Sequence, residues 1–161
     1  MFSALARSTR RHPIPWGIAA LVAGVTIFYL PLLLGTHTFP DGDFTHHFLP
    51  FSIFRSEAMR ALHLPIWNPA TYSGHPFLAD TQAAVFYPIS ALIEAATLFW
   101  TEASARLYWL QVEAVIETMF AGGFTLLLVR ALGIDRWAAI LAGLVFALSG
   151  DLTAFPPLPL A

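Results

Sequence analysis

The chain has 161 residues, 57% of them hydrophobic and 11% charged, with a formal net charge of −2 and a mean hydropathy of +0.67. Soluble domains carry about 25% charged residues, so the deficit points to a membrane protein, and the lack of any basic run excludes nucleic acid as a partner. Cysteine is absent, which excludes disulfides and thiolate metal sites.

Residues 1–13 hold Arg7, Arg10 and Arg11 and precede an apolar run from Ile14 to Leu34. A signal-peptide core is about 7–15 residues and ends at a small-residue cleavage site. This run is close to the ~20 residues that cross hydrocarbon, and Leu34-Gly35-Thr36-His37 offers no such site. Residues 14–35 are therefore expected to be a first transmembrane helix, with 1–13 cytoplasmic.

The segment 36–82 is polar and rich in His and Pro, and is expected to be a large extracytoplasmic loop. Within it Phe51, Phe54, Ala58 and Leu62 recur at helical spacing, while Ser52, Arg55, Glu57 and Arg60 are polar. Pro50 suits a helix start and Leu64-Pro65 a stop. This pattern fits an amphipathic helix on the outer membrane surface; packing on the loop's own core is the alternative. Asn68-Pro69 and Ser73-Gly74 signal turns.

Three further segments are apolar: Ala83–Trp100, Ala103–Val129 and Trp137–Ser149. Arg-rich flanks stay cytoplasmic, so the turn 131–136, bracketed by Arg130 and Arg136, should lie on the same side as the N-terminus. A span at Ala83–Trp100 would put that turn on the wrong face. Residues 83–102 are instead expected to be interfacial or re-entrant, in keeping with Pro88, Glu94 and Glu102. Trp16 and Trp137 would mark the inner aromatic belt, Trp100 and Trp109 the outer one. The expected fold is an all-α integral membrane protein with three spans, at 14–35, 103–130 and 137–155, and interfacial helices in the loop.

The groups able to do chemistry gather in the loop. Asp41-Gly42-Asp43 follows the first span; a carboxylate there could act as a general base or hold a divalent cation, or be a solvated turn acid. Adjacent side chains diverge, so His46 and His47 would share a metal with Asp43 only on an irregular backbone. Asp80 and Gln82 form a second polar pair, although Asp80 could simply cap the next helix. Glu113 and Glu117 lie four apart on a helix in or near the membrane, where carboxylates are costly and often functional; a polar bundle interior that includes Arg106 is the plainer reading. Glu94 carries no functional expectation. Gly-rich phosphate loops, G-x-S-x-G, H-E-x-x-H and GxGxxG are all missing.

The order of these elements carries a resemblance. Asp43 is followed by Phe48-Leu49-Pro50-Phe51, Leu64-Pro65-Ile66-Trp67-Asn68-Pro69, the run Ser73-Gly74-His75-Pro76-Phe77-Leu78-Ala79-Asp80-Thr81-Gln82, and Phe86-Tyr87-Pro88. Arg130-Ala131-Leu132-Gly133 and Leu148-Ser149-Gly150 follow in turn. This resembles the N-terminal part of the YfhO-like bacterial membrane proteins, which are similar to the GT-C superfamily of polytopic glycosyltransferases, from the first helix to about Gly150.

The resemblance implies a multi-span enzyme of the bacterial cytoplasmic membrane. It would move a sugar from a polyprenyl-phosphate-linked donor to an envelope glycan or teichoic-acid-type acceptor on the outer face. The early loop acid of that superfamily falls on Asp43, with Asp41 its neighbour and Asp80 a third acid that could orient the acceptor or help bind a cation. Arg55 would face the phosphate, Trp67 and Tyr87 would stack on a sugar, and Asn68, Gln82, His46 and His47 complete the implied substrate-binding set. No cofactor is implied beyond the open question of a divalent cation. Relatives often carry an amide at the His46-His47 position and are several-fold longer, so this chain reads as a fragment of a larger polytopic fold. Two alternatives stand beside the transferase: a non-catalytic scaffold or transporter subunit of an envelope-polymer system, resting on Glu113 and Glu117, and an inactive truncated product.

Overall fold

A computed structural model describes residues 14–150. The expected cytoplasmic N-terminus and the last part of the expected third span, 151–155, lie outside the described residues. The described residues are helical and contain no strand beyond one antiparallel bridge between Asn68 and His75. They divide into two compact units, one formed by residues 14–33 with 115–150 and the other by Leu34–Ala114.

The first unit contains α1 (Ile14–Phe28), α2 (Leu30–Leu33), the C-terminal part of α5 (Ala103–Ala131) and α6 (Arg136–Ala147). Tyr29 N donates to Val25 O and Leu33 N to Tyr29 O, so α1 and α2 share one helical path. The break falls beside Pro31, which has no N–H to continue the ladder and whose ring crowds the carbonyl four residues earlier. The turn after α5 closes on Gly133, at φ +80°, with Ile134 N reaching back to Val129 O. Asp135 then caps α6, accepting from Trp137 N at 2.7 Å.

Packing here depends on small residues. A Cβ on Gly122 would come 2.9 Å from Gly143 O, and one on Gly143 would come 2.7 Å from Gly122 O, so α5 and α6 touch backbone to backbone. Leu21, Val25, Leu126, Ala139 and Ala147 fill the rest of the interior. Large apolar side chains point outward instead: Ile27, Phe124, Leu128, Leu141 and Val145 are all more than half exposed. By length and composition one helix, α5, could cross a membrane alone; α1 and α6 are shorter apolar helices.

The second unit has a different interior. A π-helical turn (Phe44–Phe48) leads into α3 (Leu49–Arg60), with Pro50 in the first turn. α3 ends before Pro65 by a closure in which His63 N donates to Ala58 O and Leu62 takes φ +57°. Two single-turn 3₁₀ segments (Phe77–Ala79 and Thr81–Ala83) follow, then α4 (Pro88–Ala96) and the N-terminal part of α5. The stretch 83–102 thus contains one nine-residue helix, roughly 14 Å long. α3 buries Phe51 and Ala58, but also Ser52, Arg55 and Ser56. Of its polar residues Ser52 and Arg55 are packed inside the unit, Arg60 is half-buried and Glu57 exposed, and Leu62, expected on the apolar face, is 93% exposed.

Candidate functional site

Two polar arrangements occupy the second unit, one wholly buried and one open to solvent. The buried one centres on Glu94 of α4. Its Oε2 accepts from Arg55 Nη2 at 2.8 Å, from Arg55 Nε at 3.1 Å and from Ser52 Oγ at 3.4 Å. Its Oε1 accepts from Arg106 Nη1 of α5. Exposures of 6% for Arg55 and 2% for both Arg106 and Glu94 place all three side chains away from water.

Other guanidinium donors are directed to backbone, while the buried Arg106 Nε makes no hydrogen bond. Arg55 Nη1 donates to Ala83 O at 2.9 Å, and Arg106 Nη2 donates to Thr97 O at 2.8 Å and Leu98 O at 3.2 Å. Arg106 thereby satisfies carbonyls at the C-terminus of α4, where positive charge is also favoured by the helix dipole. Beside this network Ser90 donates to Glu113. One carboxylate therefore ties α3, α4 and α5 together. Arg55, expected to face a phosphate, is turned inward with its donors engaged by the protein. Gln82 borders the same region through a cavity of about 10 Å³, room for one water at most.

The solvent-facing arrangement is built by the turn between Asn68 and His75. Those residues exchange both backbone hydrogen bonds at 3.0 Å, and Asn68 Oδ1 accepts from Ala70 N at 2.9 Å. Tyr72, Ser73 and Gly74 have consecutive φ values of +53°, +60° and +100°. Two successive non-glycine residues in this region cost of order 1–3 kcal/mol each and persist only where the surroundings impose them. A Cβ on Gly74 would lie 2.9 Å from the Trp67 ring, so Trp67 packs over the turn while staying 56% exposed.

The turn delivers a chain of polar groups. Thr71 Oγ1 and His75 Nδ1 share a 2.9 Å hydrogen bond, and His75 Nε2 lies 3.3 Å from Asp80 Oδ2. The second contact is out of hydrogen-bond alignment. The other Asp80 oxygen caps the second 3₁₀ turn, accepting from Gln82 N at 2.9 Å. Tyr72 Oη is 3.4 Å from His47 Nδ1. Phe51 lies between the two imidazoles, with ring centroids 4.3 Å from His47 and 5.6 Å from His75. Phe77 anchors the floor, fully buried with Phe51 and Ala83.

At the edge stands the acidic turn. Asp41 Oδ1 accepts from Gly42 N at 3.1 Å and from Thr45 Oγ1, and lies 3.5 Å from His46 Nε2. The Thr45 hydrogen bond first, with the nearby His46 imidazole adding to it, holds the Asp41 carboxyl below the usual range. Asp43 occupies the cap position of the π-helical turn, but its side chain makes no capping bond. It is exposed, and among the described residues nothing hydrogen-bonds to its carboxylate.

The structure thus brings Asp80 and His47 into one cluster, places Asp41, Asp43 and His46 on the turn leading into it, and sets Trp67 and Asn68 in its framework. Tyr87 stands at the N-cap position of α4, and its side chain makes no capping bond. Thr71, Tyr72 and His75 were not anticipated as site residues. The strongest signal for them is His75 directly after the Ser73-Gly74 turn and five residues before Asp80. No group of three or more His, Cys, Asp or Glu side chains among the described residues is placed to hold a metal ion. Compared with known proteins, the chain matches no family model, no curated protein and no solved structure.

Proposed function

We propose that this chain is the N-terminal part of a membrane glycosyltransferase of the YfhO-like, GT-C type, with its N-terminus cytoplasmic and the unit Leu34–Ala114 on the outer face. The outward apolar side chains and glycine-lined interior of the first unit support a lipid surrounding, since packing between spans relies on close approach rather than on burying large apolar groups. The joint path of α1 and α2 is about 30 Å long, the thickness of the hydrocarbon core. With α5 and α6 it makes the three spans of this reading.

The observation that carries the catalytic reading is Asp43: a carboxylate at a helix start, unused as a cap, exposed, and next to a polar cluster. In the proposed step the acceptor hydroxyl attacks the anomeric carbon while Asp43 takes its proton. The bond from that carbon to the phosphate oxygen breaks, and the lipid phosphate leaves with the electron pair. A nucleotide sugar is cytoplasmic, so a donor used outside must cross the membrane on a lipid. The cluster of Asp80, His75 and Thr71 holds the acceptor, and Trp67 presents an exposed ring face to the sugar.

Membranes from cells expressing the full reading frame, given labelled polyprenyl-phosphate sugar, test this. Label should reach an envelope glycan with the parent, and Asp43→Asn at matched protein level should lower transfer by about 10²-fold or more. Transfer at the parental rate by Asp43→Asn removes the catalytic assignment.

A further inference from the structure

At one end of the first unit the start of α1, the end of α5 and the start of α6 enclose a cavity of about 460 Å³. Its walls come from Gly17, Ala20, Leu126 and Ile140, and Arg130 and Arg136 are the charged residues in its lining. That volume falls in the range of small-molecule sites. Neither arginine pairs with a carboxylate among the described residues. Arg130 Nη1 donates to Ile134 O at 2.6 Å, and the Arg136 guanidinium lies 4.7 Å from the Trp137 ring centroid. The nearest acid in sequence, Asp135, is engaged as the α6 cap.

We propose that this cavity binds one anionic phospholipid, with an acyl chain between α1 and α6 and the headgroup phosphate on Arg130 and Arg136. Charge complementarity selects the ligand: two arginines in the lining of an apolar cleft match a phosphate joined to a hydrocarbon chain. A free phosphate would match the arginines and leave the apolar walls without a partner. Trp16 and Trp137, 75% and 67% exposed at the same end, suit the depth of lipid headgroups. Basic pockets between helices on the cytoplasmic side hold anionic lipid headgroups.

The site rests on the membrane reading of the first unit, and one experiment separates the two. The full chain is reconstituted into phosphatidylcholine nanodiscs containing a small fraction of phosphatidylglycerol with brominated acyl chains, and quenching of tryptophan fluorescence is followed. The expected result is strong quenching at low phosphatidylglycerol content, with the apparent affinity falling about 30-fold in Arg130→Gln/Arg136→Gln. The Arg130→Lys/Arg136→Lys variant should restore most of it. Ala20→Phe, which fills the cavity and keeps both charges, should also weaken binding. Helical content in pure phosphatidylcholine equal to the parent shows that each variant is folded.

Several results would overturn the site while leaving the membrane reading intact: equal quenching in the Gln variants, full binding by Ala20→Phe, or loss of quenching on adding millimolar inorganic phosphate. A chain that stays out of phosphatidylcholine bilayers altogether would overturn both.

Discussion

Replacing Glu94 with Gln keeps the shape of the side chain and removes the only carboxylate bonded to Arg55 and Arg106 among the described residues. Both guanidiniums would then stay buried, at 6% and 2% exposure, without a hydrogen-bonded carboxylate. Removing one partner of a buried pair costs about 3–5 kcal/mol, because the remaining charge is left uncompensated. A folded domain holds only about 5–15 kcal/mol in total, so the second unit would sit near its threshold. Amides of α3, α4 and the first turns of α5 should exchange with deuterium about 10²–10⁴-fold faster than in the parent. Those of α6 should change little. Hydrogen exchange read by mass spectrometry on the detergent-solubilised full chain measures both sets in one sample. A control distinguishes charge from packing: Arg55→Met/Glu94→Leu/Arg106→Met removes all three charges, and such replacements are often neutral or stabilising. Here recovery should be partial, because Arg106 also serves Thr97 O and Leu98 O. Unchanged exchange in Glu94→Gln would refute the view that this carboxylate holds the unit together.

Glycine positions in the first unit should respond by contact rather than by sequence. Gly143→Ala meets Gly122 O at 2.7 Å and should lower the thermal midpoint in detergent by an amount equivalent to about 1–3 kcal/mol, whereas Gly123→Ala meets nothing within 4 Å and should be neutral or stabilising. Asp41 should titrate below an ordinary aspartate by carbon NMR, and Thr45→Val should move it upward; an unmoved value would show that Thr45 is not the cause. Since its folded pKa is depressed, any stability it contributes is present at neutral pH and lost as the pH falls through that value. Asp80→Ala removes a 3₁₀ cap and the partner of His75, and should cost about 1 kcal/mol while impairing transfer more than that loss explains. Equal losses of folded protein and of activity would make Asp80 purely structural.

Local chemistry was legible in the sequence where it is decided locally. Pro50 and Pro65 bracket α3, and Asn68-Pro69 and Ser73-Gly74 mark the turn that carries Tyr72 and His75. Asp80, open from the sequence to a capping role, caps the helical turn that begins at the next residue. The Glu94 network was not legible. Arg55 is 39 residues away from Glu94 and Arg106 is 12 away, and no periodicity couples a lone acid on a short apolar helix to either. The same blindness affects α3. Helical spacing identifies its apolar stripe, but nothing in the pattern shows that Ser52 and Arg55 are also buried, because that depends on Glu94 arriving from another element. His75 was hidden by its neighbours: a histidine beside a turn looks solvated until the left-handed run at Tyr72-Ser73-Gly74 folds it back onto Phe51 and Asp80.

The two units solve opposite problems with one helix. The N-terminal turns of α5 contribute Arg106 to an interior of paired charges, where each buried group left without a partner costs stability. The C-terminal turns contribute Gly122 and Leu126 to an interior of small and apolar groups and expose Phe124 and Leu128 outward. In water the second arrangement gains nothing from its outward apolar surface, since that surface is as exposed as in an unfolded chain. In hydrocarbon the same surface carries no penalty, and backbone contact at Gly122 and Gly143 becomes the main source of cohesion. The two interiors should therefore respond differently to their surroundings. Glu94→Gln should weaken the protein similarly in any mild detergent, because its site is internal. Gly143→Ala should be tolerated worse in a bilayer, where little besides that contact holds α5 to α6. If both substitutions ranked identically in detergent and in nanodiscs, the lipid-facing assignment of the first unit would lose its physical basis.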